Sequence, residues 1–235
     1  MAMTVSRTLA SSLSTTHRGT AFEERSLRIL EAHLSMSLRR VGGKSDGGID
    51  LLGWWWLPAP GSSSHACSST APRRRLRILA QCKAEKKKTS PKYVREMEGV
   101  LHRYLVSSPP TSPPTAPLDG TSSVKSPVVG LLISESPFTK STILRAVSSP
   151  IPFFLLHLPP SASCEQDTVV EEAPTWTGTA IWNPALGGGT GLLGGEIEAR
   201  WERSLSGSGL GRPSLWWRNE KLRSWTPEGE FEELD

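Results

Sequence analysis

Apolar residues recur along the first two thirds of the chain with two different periods, and those periods set out an order of elements. Phe22, Leu27, Leu30 and Leu34 fall at mostly helical spacing behind Thr20, and Glu23 follows three residues after Thr20 as in a capping box, so a first helix is predicted over 21–33. The alternating SLRRV (37–41), the turn cluster GGKSDGG (42–48) and the apolar run IDLLGWWWL (49–57) predict two strands joined by a tight turn. Glycines 42, 43, 47 and 48 suit backbone with positive φ, and Asp46 reads as a turn residue.

After a loop over 58–72, LRILAQCKAE (76–85) alternates as a strand. Leu76, Ile78, Ala80 and Cys82 share one face, expected to be buried, and Arg77, Leu79, Gln81, Lys83 and Glu85 share the other. From Pro91 the period turns helical, with Tyr93 or Val94, Met97, Leu101, Tyr104 and Leu105 as the apolar stripe. A Pro/Ser/Thr loop (107–123) follows, then VVGLLIS (128–134) as a buried strand, TKSTILRAVSS (139–149) as a short helix and PFFLLHL (152–158) as another buried strand. The order αβββαβαβ predicts an α/β fold with a mixed sheet flanked by helices. Beyond Pro159 six tryptophans (176, 182, 201, 216, 217, 225) stand in Gly-rich and acidic sequence without a repeat, and residues 159–235 read as an irregular C-terminal extension. Two short strands or a helix around GEIEARWER (195–203) are the alternatives within it.

Composition narrows this picture. With 19 prolines, 21 glycines and 37% apolar residues in 235, the core is smaller than the length suggests. The net charge of +4 is unevenly spread, since ten Lys and Arg against the single Glu85 lie between Arg73 and Arg95, while acids outnumber bases after Pro160. A basic centre of this kind is either a solvated surface or a contact for a polyanion. Cys67, Cys82 and Cys164 are odd in number and widely spaced, which fits neither a disulfide framework nor a zinc site. No apolar stretch is long enough to span a membrane. The start, MAMTVSRTLASSLSTTHRGTAF, has arginines and hydroxyl residues but no acid before Glu23, the composition of a mitochondrial transit peptide, here taken as residues 1–18.

Candidate chemistry concentrates in one place. GGKS lacks the upstream glycine of a phosphate-binding loop, because Leu38 stands there, and histidines 17, 33, 65, 102 and 157 lie singly without metal-ligand spacing. There remain SDGGIDLLG and, about thirty residues later, AQCKAE. Asp50 sits in an apolar strand, where an ionised carboxylate requires a cation or hydrogen bonds, and Gln81 and Lys83 share a face two positions apart on a neighbouring strand. Two readings stand: an Asp50–Lys83 ion pair on the sheet, or a metal-assisted hydrolytic site. Lysines 86, 87 and 88 directly follow this strand, which favours phosphate contact for the basic block, joined by Lys92 and Arg95. Alternation makes one or two of Trp54, Trp55 and Trp56 core residues, and base stacking is the rival role.

Over residues 19–158 the set GTAFEE, LRRVGGKSDGGIDLLGWW, ILAQCKAE and SPKYVREMEG resembles the Mrr-type branch of the PD-(D/E)xK nucleases, and more narrowly the fungal mitochondrial family called required for respiratory growth protein seven. The resemblance implies a restriction-endonuclease-like αβββαβ core in a mitochondrial protein. It also implies hydrolysis of phosphodiesters in nucleic acid, with DNA the expected partner. By the same resemblance Asp50, Glu23, Gln81 and the Cys82 backbone carbonyl would hold magnesium or manganese, and Lys83 would orient or deprotonate the attacking water. Many members of the wider superfamily carry an acid where this chain has Gln81. The alternative implied is therefore a catalytically inactive nuclease-fold protein that binds nucleic acid or serves mitochondrial maintenance.

Overall fold

A computed structural model describes residues 15–41, 48–59, 72–107, 127–160, 178–202 and 211–227. Outside these lie the leader up to residue 14, the turn residues 42–47 with Asp46, most of the loops expected at 58–72 and 107–123, and Trp176, Cys67, Cys164 and His65.

The first helix, α1 (Thr15–Leu34), starts earlier than its sequence suggests. Thr20 is inside it rather than at its cap, and no capping box forms with Glu23; the Thr20 hydroxyl accepts a bond of 3.4 Å from Arg40 Nη2. A tertiary contact accompanies the extra turn, since Arg18 Nε donates to Glu135 Oε2 at 3.1 Å across the domain. Residues 15–18 of the expected leader therefore belong to α1. The helix stops at Ser35, which adopts a left-handed φ of 55°. Ser35 N donates to Ser224 Oγ at 2.9 Å and Ser35 Oγ accepts from Trp225 N at 3.1 Å, so the C-terminal segment closes the helix end.

Strands β1 (Met36–Arg40), β2 (Leu51–Pro58) and β3 (Arg73–Lys83) form an antiparallel meander. Helix α2 (Lys92–Ser107) leads to β4 (Val128–Ser134), and α3 (Lys140–Val147) leads to β5 (Phe153–His157), with β3, β4 and β5 parallel. Strand β6 (Thr179–Trp182) adds antiparallel to β5, giving one mixed sheet in the order β1-β2-β3-β4-β5-β6. Every residue of β4 and β5 is buried, which follows from cover on both faces. Leu76, Ile78, Ala80, Leu131 and Phe154 pack on one face with α1, while Leu79, Leu132, Phe153 and Leu155 pack on the other with α2 and α3. The expectation that only one face of β3 is buried thus fails at Leu79, which packs with α2, and at Gln81, whose amide lies under Gly48. The end of the α2 stripe also differs: Tyr104 is only partly buried and Leu105 is exposed. Gly53 permits the close approach of β1, since a Cβ there would lie 2.1 Å from the Ser37 carbonyl oxygen.

The segment after Pro159 is not the irregular extension that its composition suggests. Beyond β6 come a short helix α4 (Pro184–Gly187) and a second antiparallel sheet of β7 (Ile197–Glu202), β8 (Arg212–Trp217) and β9 (Glu220–Lys221). This sheet packs on the face that carries α1, and Leu193, Ile197, Leu215, Trp217 and Leu222 join its core. The folded unit therefore continues well past residue 158. Long-range aromatic packing fixes it, as Trp182 lies against both Trp55 and Phe154 at centroid distances of 6.0 and 5.5 Å.

Candidate active site

Asp50 immediately precedes β2 and is gripped from both neighbouring strands. Its amide donates to the Ala80 carbonyl at 2.9 Å, its carbonyl accepts from Val41 N at 3.0 Å, and its carboxylate Oδ2 accepts from Cys82 N at 2.7 Å. The carboxylate thereby continues the β2–β3 ladder by one rung, and a charge-assisted bond of this kind offsets part of the cost of its half-buried position. Within a strand the N–H and C=O of one residue point to the same neighbour, so the Cys82 carbonyl also faces the β2 side.

Gln81 lies between these two contacts. It is 6% exposed, and its Oε1 is buried with no hydrogen-bond partner in the structure. A buried carbonyl oxygen without a donor costs about 1–3 kcal/mol and calls for an explanation. Gly48, with φ +88°, passes over the same amide, and a Cβ on it would stand 3.1 Å from Gln81 Nε2. Gly48→Ala is accordingly expected to lower stability by about 1–2 kcal/mol through the left-handed backbone, and to displace the Gln81 amide. Thermal melting, with the Gln81 side-chain amide resonances as a local reporter, checks both parts.

Lys83 ends β3, and its Nζ lies 4.8 Å from the centre of the Tyr93 ring. Lys92 approaches the same ring at 4.6 Å, so two ammonium groups share one aromatic face region at the start of α2. Tyr93 donates its hydroxyl hydrogen to Glu85, and burial together with that bond pushes the phenol up to about 12. Tyr93 was legible only as a core position; its role in holding Lys83 depends on a contact that no spacing rule shows.

Glu23 reaches the same region from α1, where its Oε2 accepts from Arg40 Nε at 2.7 Å. Its partner Arg40 was not singled out in the sequence. The Cys82 thiol marks the meeting point: burial pushes its pKa up, the carboxylates of Asp50 and then Glu23 add to the rise, and Ser26 and Lys83 oppose it. The structure thus ties the Asp50 carboxylate to Cys82, the residue after Gln81, with Glu23 held by Arg40 on the α1 side and Lys83 turned to Tyr93 on the α2 side. Lysines 86, 87 and 88, Lys92 and Arg95 are all exposed just beyond the end of β3. Among the described residues no group of three or more His, Cys, Asp and Glu side chains is arranged to hold a metal ion. The oxygen donors at this strand end, a carboxylate, an amide and a backbone carbonyl, are of the types that suit a hard divalent cation.

The family model of Required for respiratory growth protein 7 matches residues 14–181, which span α1 to β6 and every residue of this site. The chain belongs to that family. It is 33% identical over 94 residues to an uncharacterized mitochondrial protein of Schizosaccharomyces pombe, a match covering 40% of this chain and 33% of the relative. The chain therefore spans about a third of the length of that relative. No solved structure matches the chain. A family named for respiratory growth and a mitochondrial relative place this member in mitochondria. No helix among the described residues is long and apolar enough to cross a membrane.

Proposed function

We propose that this member of the respiratory-growth family has a restriction-endonuclease-like core and hydrolyses phosphodiester bonds of mitochondrial DNA with a divalent metal ion. The observation that carries the reading is the buried, unpartnered Oε1 of Gln81, the residue before Cys82, whose amide binds the Asp50 carboxylate, at the strand end where the lysine block begins. Magnesium or manganese would be held by Asp50, Gln81 Oε1 and the Cys82 carbonyl, with Glu23 available on leaving Arg40. Such an ion supplies Lewis acidity towards a phosphate oxygen and lowers the pKa of water.

The chain itself supplies the rest. The Cys82 amide holds Asp50 in one orientation, so the carboxylate is preorganised. Lys83, kept at the end of β3 by the Tyr93 ring, brings positive charge to the place where negative charge grows on the phosphate during attack by water. The exposed lysines 86–88, with Lys92 and Arg95, attract and position the backbone of the substrate. Water attacks phosphorus in line, the bond to the leaving sugar oxygen breaks, and that oxygen takes up a proton.

The test is an assay of the purified chain on single-stranded, duplex and branched DNA and on RNA, with magnesium, manganese or a chelator. Cleavage that needs the metal is expected. In the same preparation, replacing Lys86, Lys87 and Lys88 by Ala is expected to flatten the slope of log affinity against log salt by about two to three units. Binding without cleavage under every metal condition would leave a nuclease-fold binding protein, a reading that the Glu23–Arg40 ion pair favours because it engages one candidate ligand.

A further inference from the structure

Away from the site, the sheet face shared by β1, β2 and β3 carries an unusual pairing of aromatic rings and guanidinium groups. Helices α2 and α3 pack against β4 and β5, which leaves the lower part of the first three strands open on that side among the described residues. Trp54 stands there, directly across the ladder from Arg77, and the guanidinium carbons of Arg75 and Arg77 lie 4.4 and 4.8 Å from the centre of its ring. Trp55 is fully buried in the opposite direction, so alternation, and not a general lack of packing, turns Trp54 outwards. One step further down, Trp56 meets Trp225 edge-on at 5.9 Å, and the Arg73 guanidinium covers the Trp225 ring at 4.6 Å.

The charges on this face are not neutralised in the usual way. Neither Arg75 nor Arg77 forms an ion pair with an acid among the described residues, Arg75 is exposed, and Arg77 Nε is buried with no hydrogen-bond partner. The exposed Arg75 guanidinium offers N–H groups to solvent, which suits phosphate oxygens, and Arg77 beside it adds a second positive charge. An indole flanked by such groups suits the flat face of a base. A base in a duplex has both faces occupied by its neighbours, so the complementary ligand is unpaired.

We propose that the open face around Trp54, Arg75 and Arg77 is a platform for single-stranded nucleic acid, with a base stacked beside Trp54 and phosphates on the two arginines. Arg77, Leu79, Gln81 and Lys83 alternate onto one side of β3, so the platform lies on the side of the sheet that carries Gln81 and Lys83. Trp54 is four residues from Asp50, about 13 Å along the strand. A strand held here leads up to the end of β3, with Leu52 and Leu79 under α2 between the two places. The inference rests on nucleic acid being the partner, as in the reading above, but it does not require cleavage.

The experiment is equilibrium binding of labelled oligonucleotides to the full chain in the presence of a chelator, so that no hydrolysis contributes. Single-stranded DNA, single-stranded RNA of the same sequence, the DNA duplex and inorganic polyphosphate are compared. Trp54→Leu is expected to weaken binding of the single strands about tenfold and to reduce the quenching of tryptophan fluorescence, while Trp54→Phe retains most of the affinity. Arg75→Gln with Arg77→Gln, both on the outer face, is expected to reduce the salt slope for single strands by about 1.4 units. Unequal loss for DNA and RNA identifies which polymer the platform prefers. Should Trp54→Leu fail to fold by circular dichroism, the phenylalanine and glutamine variants carry the test. The proposal is overturned if the folded variants bind single strands as the wild type does, or if duplex and polyphosphate compete equally well and lose affinity equally. Trp54-dependent binding in a chain that never cleaves with metal would keep the platform and remove the hydrolase. Metal-dependent cleavage with binding indifferent to Trp54, Arg75 and Arg77 would do the reverse.

Discussion

Asp50→Asn and Lys83→Ala are each expected to lower phosphodiester cleavage by about two to four orders of magnitude, with the fold and the affinity for nucleic acid nearly unchanged. Asparagine keeps an acceptor oxygen where Asp50 takes its bond from Cys82 N at 2.7 Å, so the β2–β3 ladder persists while the charge that would hold the ion is lost. Lys83 is half-buried at the end of a strand, and its removal deletes one contact to Tyr93 without opening the core. The two defects separate by metal titration under single turnover. Asp50→Asn is expected to demand a higher concentration of magnesium, because a neutral amide binds the ion more weakly. Lys83→Ala is expected to leave that dependence in place and lower the maximal rate, as fits a group acting on the transition state. Cleavage unchanged in both variants would assign the activity to another site. Unfolding of Asp50→Asn would show that the carboxylate is there for the ladder alone.

The parts of the fold that could be read from the sequence are those where one local signal decides the structure. VVGLLIS reads as a strand and is one over its whole length, because an apolar run between turn residues has nowhere to go but a sheet covered on both faces. Alternation in β3 joins Leu76 to Ile78 and Ala80, as the core does, yet it cannot show that α2 also buries Leu79. The sequence places the start of α1 too late, at Thr20, because a capping pattern is local, whereas the Arg18 contact to Glu135 joins positions 117 residues apart. The C-terminal sheet was illegible for the same reason: its strands are short, its glycines mask any period, and Trp182 is explained only by Trp55 and Phe154.

The candidate site shows the same division. The sequence shows Asp50 as a charge in an apolar strand and Gln81 and Lys83 as two residues of one strand face, and the structure ties Asp50 to Cys82, next to a buried Gln81. The bond from the Cys82 amide, the Tyr93 ring under Lys83 and the capture of Glu23 by Arg40 were invisible, since each joins separate elements. A carboxylate that completes a backbone ladder and an amide oxygen left without a donor are properties of register. A single residue shift in the β2–β3 pairing would break the Asp50–Cys82 bond.

Asn183→Ala is expected to be the most destabilising single substitution of a polar side chain in this chain, at about 3–6 kcal/mol, a large fraction of a typical domain's stability. Asn183 is 2% exposed and holds five backbone groups at once. Its Nδ2 donates to the carbonyls of Ala146, Ser149 and Ile151 at 3.1, 3.0 and 2.7 Å, and its Oδ1 accepts from the amides of Phe153 and Leu186 at 2.9 and 3.1 Å. These groups belong to the end of α3, the loop after it, the start of β5 and the first turn of α4, so one side chain fixes where β6 leaves the sheet. Truncation removes all five bonds; the Leu186 amide keeps the Asn183 backbone carbonyl and the Ala146 carbonyl keeps the Ser149 amide, but the Phe153 amide and the Ser149 and Ile151 carbonyls lose the Asn183 partner, whereas loss of packing alone would cost far less. Asn183→Asp separates the two halves of the network, because it keeps acceptors for the two amides and sets a carboxylate against three carbonyls. The introduced group would have its folded pKa raised above the ordinary value for Asp, so its penalty grows as pH rises from about 4 and is greater at pH 7.5 than at pH 5. Urea melts at both pH values measure this. A loss below about 1 kcal/mol for Asn183→Ala, or an Asn183→Asp variant indifferent to pH, would mean that water or local rearrangement satisfies these groups and that β6 is held by the aromatic contacts of Trp182 alone.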